Sequence, residues 1–126
     1  MACRWTELVI DANDPVGLAG FWSRVLDYPI IEQDEHYAEI KAPDGPSIVF
    51  VEVPEPKTVK DRIHIDVNAT DRDQMDEVAR IKELGATDVD VGQHEREPGQ
   101  HDVTWVVLAD PEGNEFCVLR SRVEPH

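Results

Sequence analysis

The residues most able to do chemistry lie on two short stretches with a strand-like pattern. His64 opens the stretch HIDVNATD, and Asp66 follows two positions later, on the same face if the stretch is a strand. Glu115 and Cys117 have the same spacing in the later stretch EFCVL. His64 could be a metal ligand, a pocket residue or a surface residue, and its type and spacing leave these uses open.

Other reactive side chains are weaker candidates. Cys117 could be a nucleophile with His64 as its base, but no triad spacing supports this. A polar insert between two strand patterns could bind a metal, although a flexible hairpin is the simpler interpretation; its candidates are His94, Glu95, Glu97 and His101.

Composition excludes some classes of partner. The chain has 126 residues, of which 40% are hydrophobic and 31% charged, and its net charge is −15. Such a charge repels nucleic acids and anionic membrane surfaces, and it would attract cationic small molecules. A surface adapted for solubility explains the negative charge more simply.

Three features of the sequence bear on location. No apolar run reaches membrane-spanning length, MACRWTELVI lacks a signal pattern, and the two cysteines are far apart. We therefore predict a cytoplasmic location.

An internal repeat organises the chain. ELVIDAND (7–14) resembles HIDVNATD (64–71), and APDGPSIVFV (42–51) resembles ADPEGNEFCVL (109–119). Each pair places an apolar strand pattern beside a polar turn. The first pair is 57 positions apart, and the glycines of the second pair, Gly45 and Gly113, are 68 apart. We therefore predict about ten extra residues in the middle of the second copy, in the polar stretch 91–102.

The pattern predicts β-α-β-β-β twice. The first helix should span 15–26, with Asp14 as N-cap and Pro15 in the first turn. The second should span 72–84, with Asp71 and Gln74 as a variant capping box and Gly85 at its end. The predicted strands are 5–11, 28–33, 36–42, 47–53, 62–68, 87–91, 102–109 and 114–120. The prolines in VPEPKTVKD indicate a linker at 54–61.

One face of the predicted sheets mixes apolar and ionisable side chains. The opposite face, which includes Ile63, should lie under the helices. A mixed face indicates a partly enclosed pocket, although a solvated sheet face is the alternative. Trp105 could be core or pocket wall. The predicted pocket residues are Trp5, Glu7, Val9, Val49, Val51, His64, Asp66, Trp105, Glu115, Cys117 and Leu119.

The repeated units, together with LAGFWSRVL, HIDV and DPEGNEFCVL, resemble the vicinal oxygen chelate superfamily and its bacterial glyoxalase-like branch. The resemblance covers about residues 4–122. It implies an α+β fold in which two βαβββ modules form a curled mixed sheet around a central cavity, with the helices outside. The chain would be a single glyoxalase-like domain, 1–126, with modules at about 4–53 and 62–122. A homodimer is also implied.

The resemblance places the family's four metal ligands at Glu7, Val49, His64 and Cys117. Valine has no ligand atom, and the thiol replaces a carboxylate. We therefore predict no metal cofactor, with His64 paired to a carboxylate such as Glu7. If a metal is present, zinc held by Glu7, His64 and Cys117 is the alternative, with Asp66 as an outer partner of His64.

The predicted function is that of a glyoxalase-like protein that handles a small molecule in its cavity, with a degenerate metal site. If it is an enzyme, Glu7 and His64 would be the acid/base pair. One alternative is a non-catalytic protein that binds cationic drugs, as bleomycin-resistance-like members do. The other is a divalent-metal-dependent lyase or dioxygenase.

Overall fold

A computed structural model describes residues 1–89 and 105–125 of the chain. These residues divide into two compact units, 1–56 and 57–126, and the boundary falls inside the predicted linker. The elements of the first unit are β1 (Glu7–Ala12), α1 (Pro15–Leu26), β2 (Ile30–Asp34), β3 (Tyr37–Lys41) and β4 (Ser47–Glu52). Those of the second are β5 (Ile65–Val67), α2 (Gln74–Leu84), β6 (Thr87–Asp88), β7 (Trp105–Ala109) and β8 (Glu115–Leu119).

Each unit contains a four-stranded mixed sheet. The strand order is β1-β4-β3-β2 in the first unit and β5-β8-β7-β6 in the second. In both, the first and last strands pair in parallel and the remaining pairs are antiparallel. The predicted α+β class with two βαβββ modules is confirmed.

The strand registers confirm the internal repeat to the residue. In the first unit Val9 lies opposite Val49, and in the second Asp66 lies opposite Cys117. These two pairs occupy equivalent places under the predicted offsets of 57 and 68 positions. Each parallel pair therefore brings the first and last strands of a module side by side, with matching side chains on one face.

Helix α1 begins and ends as the sequence predicts. The Asp14 side chain accepts a hydrogen bond from the Gly17 N–H at 3.1 Å, and Pro15 occupies the first turn. Its apolar stripe buries Leu18, Phe21 and Trp22. The helix packs against the sheet strands β2, β3 and β4. Burial of each large apolar side chain contributes roughly 1.5–3 kcal/mol, so this stripe holds the helix on the sheet.

The predicted start of the second helix was wrong. Its N-cap is Asp73 and not Asp71, and Gln74 is the first helical residue, with its side chain donating to the Val118 carbonyl at 3.0 Å. Asp71 instead forms an ion pair with its neighbour Arg72 and does not cap the helix. Gly85 ends the helix at φ 130°, as predicted.

The second core is built from Val78 and Ile81 on α2 and the apolar side chains of β7 and β8. The predicted strand 62–68 is only Ile65–Val67, and Ile63, expected beneath the helix, is exposed because it precedes the strand. The parts of strands 87–91 and 102–109 at 90–104 lie outside the described residues, as does the insert with its four metal-ligand candidates. Within the described residues, no helix is long and apolar enough to cross a bilayer.

Candidate functional site

A cavity of about 170 Å³ opens on the β5–β8–β7 sheet of the second unit. Six of the predicted site residues line it, and these are His64, Asp66, Trp105, Glu115, Cys117 and Leu119. Four further residues complete the described lining, and these are Lys60, Asp61, Val107 and Phe116. The cavity thus combines apolar walls with convergent ionisable groups, the usual composition of a small-molecule site.

The turn that joins β7 to β8 places Glu115 and Cys117 in this cavity. Asp110 is buried, and its Oδ1 accepts from the N–H groups of Glu112 at 2.9 Å and Asn114 at 3.0 Å. Gly113 has φ 91°, a conformation that side chains disfavour. The sequence DPEGN therefore closes a tight turn, and the antiparallel register that follows sets Ala109 opposite Glu115 and Val107 opposite Cys117.

Glu115 is held as a carboxylate at one side of the cavity. Its side chain is 12% exposed, and Oε1 lies 2.9 Å from the Lys57 Nζ. Oε2 accepts from the Asp61 N–H at 3.0 Å. Burial alone would raise the pKa of Glu115, but the hydrogen bonds from Lys57 and from backbone N–H groups outweigh it and lower the pKa to about 2. Burial and the nearby Glu115 charge raise the pKa of Asp61.

His64, Asp66 and Cys117 form a compact group at the other side. Nε2 of His64 lies 3.1 Å from Oδ1 of Asp66, and both side chains are about half exposed, at 50% and 46%. The ligand atoms of all three residues lie within 4.8 Å of one another. Cys117 is buried, and burial, followed by the charge and hydrogen bonding of Asp66, raises the pKa of its thiol. A protonated thiol is a poor nucleophile, which weighs against a catalytic cysteine.

The other predicted site residues lie in the first unit. Glu7, Val9, Val49 and Val51 share one face of the β1–β4 pair, where Val49 is buried and Glu7 and Val9 are exposed. Trp5 lines a cleft of the first unit beside Arg4 and Lys41. Because Glu7 and His64 belong to different units, their pairing stays a prediction. Within the second unit, the carboxylate beside His64 is Asp66.

Comparison with known proteins identifies the family. A family model described as a glyoxalase-like domain matches residues 7–119. The chain belongs to the glyoxalase-like domain family. The resemblance to the vicinal oxygen chelate superfamily is thereby confirmed. A comparison with curated protein sequences gives no significant match.

Several solved structures share the fold of this chain. Oxidase ChaP-H2 is 19% identical, with a TM-score of 0.63 over 100% of both chains. A glyoxalase/bleomycin resistance protein/dioxygenase family enzyme from Burkholderia phytofirmans PsJN is 19% identical, with a TM-score of 0.64 over 90% of this chain and 94% of the other. A mutant of the fosfomycin resistance protein FosX from Listeria monocytogenes, in complex with Mn(II) and 1S,2S-dihydroxypropylphosphonic acid, is 15% identical. Its TM-score is 0.69 over 94% of this chain and 90% of that chain.

The side chains at the four metal positions implied by the family do not fit a hard divalent cation. Val49 is buried at 5% exposure and has no donor atom. At Cys117 a protonated thiol hydrogen-bonded to Asp66 stands where a carboxylate would supply negative charge. Hard cations prefer oxygen ligands, so the family's site is not retained in this set of residues.

Sequence reasoning missed three charged residues of the site, Lys57, Lys60 and Asp61. They lie in the segment predicted as a linker, which turns back onto the β8 strand through the Lys57–Glu115 ion pair. The charged run KTVKD (57–61), which ends two residues before HIDV (64–67), was the available signal. A charge run usually indicates a solvated segment, and only the tertiary contact shows that it borders a cavity.

Proposed function

We propose that this glyoxalase-like protein binds a small organic molecule in the cavity of its second unit, without the metal set of its family. One observation carries the proposal: His64, supported by Asp66 at 3.1 Å, faces a cavity with apolar walls. A volume of about 170 Å³ is below the roughly 300 Å³ at which pockets for drug-sized ligands begin. The proposed ligand is therefore the size of a small metabolite.

His64 is the proposed proton carrier of the site. A hydrogen bond from Nε2–H to the Asp66 carboxylate would set the tautomer of the ring and leave Nδ1 to accept a proton. Such a carboxylate-supported imidazole can act as a general base on a carbon acid or a hydroxyl of the bound molecule. Glu7 remains the predicted partner of His64 in this acid/base role, and the homodimer and cytoplasmic location also remain predictions.

A thermal-shift series tests the binding proposal. Binding to the folded state alone raises stability by RT ln(1 + [L]/Kd), about 2.7 kcal/mol at 100 times Kd. We expect small carbonyl or hydroxy compounds to raise the melting temperature of the wild type. The same compounds should not raise that of Trp105→Ala, which removes one cavity wall. Trp5→Ala is the matched control, since Trp5 is an exposed tryptophan in a cleft of the first unit. An equal ligand shift in both variants would refute the proposed location.

Binding of cationic molecules is the second candidate function. The cavity lining carries three carboxyl groups, Asp61, Asp66 and Glu115, against one lysine, Lys60, and the chain as a whole has a charge of −15. If the protein binds cationic molecules, amines should give a larger thermal shift than neutral compounds, and the amine shift should decrease with added salt. Asp66→Asn should weaken amine binding more than binding of neutral compounds. A response to neutral compounds alone would exclude this candidate.

A further inference from the structure

We infer that the second unit contains a site for zinc or a similar borderline-soft cation, formed by His64, Asp66 and Cys117 alone. These residues offer one imidazole nitrogen, one carboxylate oxygen and one sulfur, all within 4.8 Å of one another. Asp66 is not among the four positions that the family uses, and no residue of the first unit is required. The inference goes beyond the proposed function: it uses the same cavity, where His64 acts as proton carrier in the metal-free protein and as a metal ligand once zinc is bound.

The backbone holds two of the three ligands in place. Asp66 and Cys117 are direct partners in the parallel β5–β8 ladder, so their side chains leave the sheet on one face. His64 immediately precedes β5, with Nε2 3.1 Å from the Asp66 carboxylate. In a tetrahedral zinc site, bonds of about 2.0–2.3 Å place the donor atoms about 3.5 Å apart. Small side-chain rotations are therefore enough to bring the three donors to bonding distance.

Asp66 already interacts with both of the other ligands. It accepts a hydrogen bond from the Cys117 thiol and lies within hydrogen-bonding distance of His64. On zinc binding, the Sγ–H bond breaks and its proton passes to solvent, while bonds form from zinc to sulfur, nitrogen and oxygen. The thiolate and the carboxylate together balance the charge of Zn²⁺, and no electron is transferred. A neutral His64 completes three protein ligands, which leaves a fourth position for water or ligand.

The ligand types set the selectivity of this site. Thiolate and imidazole favour Zn²⁺ and Co²⁺, whereas Mg²⁺ and Mn²⁺ prefer oxygen ligands. Glu115 is the remaining carboxylate on the same strand face, but Lys57 and the Asp61 N–H hold its two oxygens. Glu115 is therefore less available than Asp66 as an oxygen ligand for a hard cation.

Cobalt spectroscopy on the chelator-treated, full-length protein provides the test. Co²⁺ bound through a thiolate gives a near-ultraviolet charge-transfer band, and Zn²⁺ should displace it at one equivalent. We expect Cys117→Ser to abolish the band. Cys3→Ser is the matched control and should retain it, since Cys3 is the exposed free cysteine. Loss of a residue that only hydrogen-bonds to a metal ligand typically lowers metal affinity about 10–100-fold. Asp66 is itself a proposed ligand, so Asp66→Asn should lower the zinc affinity by at least this factor.

Two further variants distinguish this site from other metal sites. Glu7→Gln should leave zinc affinity unchanged, and the double variant His94→Ala/His101→Ala should do the same. An equal loss of zinc affinity in Glu7→Gln and Asp66→Asn would show that the family's ligand positions hold the metal, and this would overturn the inference. Absence of the cobalt–thiolate band in the wild type would overturn the inference outright. Circular dichroism of each variant checks that it folds.

The metal titration contains no organic ligand, so its outcome is independent of the thermal-shift series. A ligand shift in the chelated protein without a cobalt–thiolate band would overturn the zinc site and leave the binding proposal standing. A cobalt–thiolate band without any ligand shift would leave the zinc site standing and overturn the binding proposal.

Discussion

The Glu115 carboxylate should make the stability of the folded protein depend on pH in the acidic range. The group is 12% exposed and bound to Lys57 at 2.9 Å, and its pKa is lowered from the ordinary value of 4.5 to about 2. This difference corresponds to roughly 3 kcal/mol of the free energy of unfolding. Because the folded pKa lies below the unfolded one, this contribution is fully present above the unfolded pKa. It is lost as the pH falls from about 4.5 to about 2.

Urea unfolding of the wild type and Glu115→Gln at two pH values measures this contribution. We expect the variant to be less stable by roughly 3 kcal/mol at about pH 7, and by only about 1.4 kcal/mol at about pH 3, where the wild-type carboxylate has lost more than half of its advantage. The unpaired Lys57 adds a cost that is nearly independent of pH. Glu83→Gln, an exposed change on α2, should stay within about 0.5 kcal/mol of wild type. A stability difference that stays constant between the two pH values would refute the reasoning.

Three other predictions concern local structure. Asp14→Ala should destabilise the protein by about 1 kcal/mol in thermal unfolding, because the Gly17 N–H loses its cap, and Asp14→Asn should recover most of this. Phe116→Ala should cost about 3–5 kcal/mol in urea unfolding, since the ring is fully buried, and a cost below about 1 kcal/mol would contradict that burial. In an ultraviolet titration, Tyr37 should ionise near pH 12, because its hydroxyl donates to Glu39. Tyr37→Phe should remove that transition, and its persistence would argue against the assignment.

The fold followed closely from the repeat. Two similar strand-turn stretches and two similar turn-strand stretches predicted the modules, and the Val9–Val49 and Asp66–Cys117 registers agree with the alignment. This succeeded because the alternation of apolar residues is strong in both copies and a one-residue slip would reverse the faces. The start of α2 was predicted less well, since Thr70, Asp71 and Asp73, all shortly before Gln74, are each acceptable caps.

The partners of His64 and Glu115 could be predicted only in part. Strand spacing keeps residues two apart well separated, which made Asp66 a weak partner for His64 in the sequence. His64 in fact precedes β5, and its side chain is free of that spacing and reaches Asp66. The pairing of Lys57 with Glu115 depends on where the chain goes after its prolines, which local propensities do not determine.

The matching registers of the two units have a consequence for how this chain can be studied and redesigned. Valines occupy the places in the first copy that Asp66 and Cys117 occupy in the second, so the molecule contains its own chemically silent counterpart of the candidate site. Exchanging single residues between the copies would therefore separate the contribution of the strand pair to folding from the contribution of its functional groups to binding. In a duplicated fold, one half can keep the architecture intact while the other is free to acquire new chemistry.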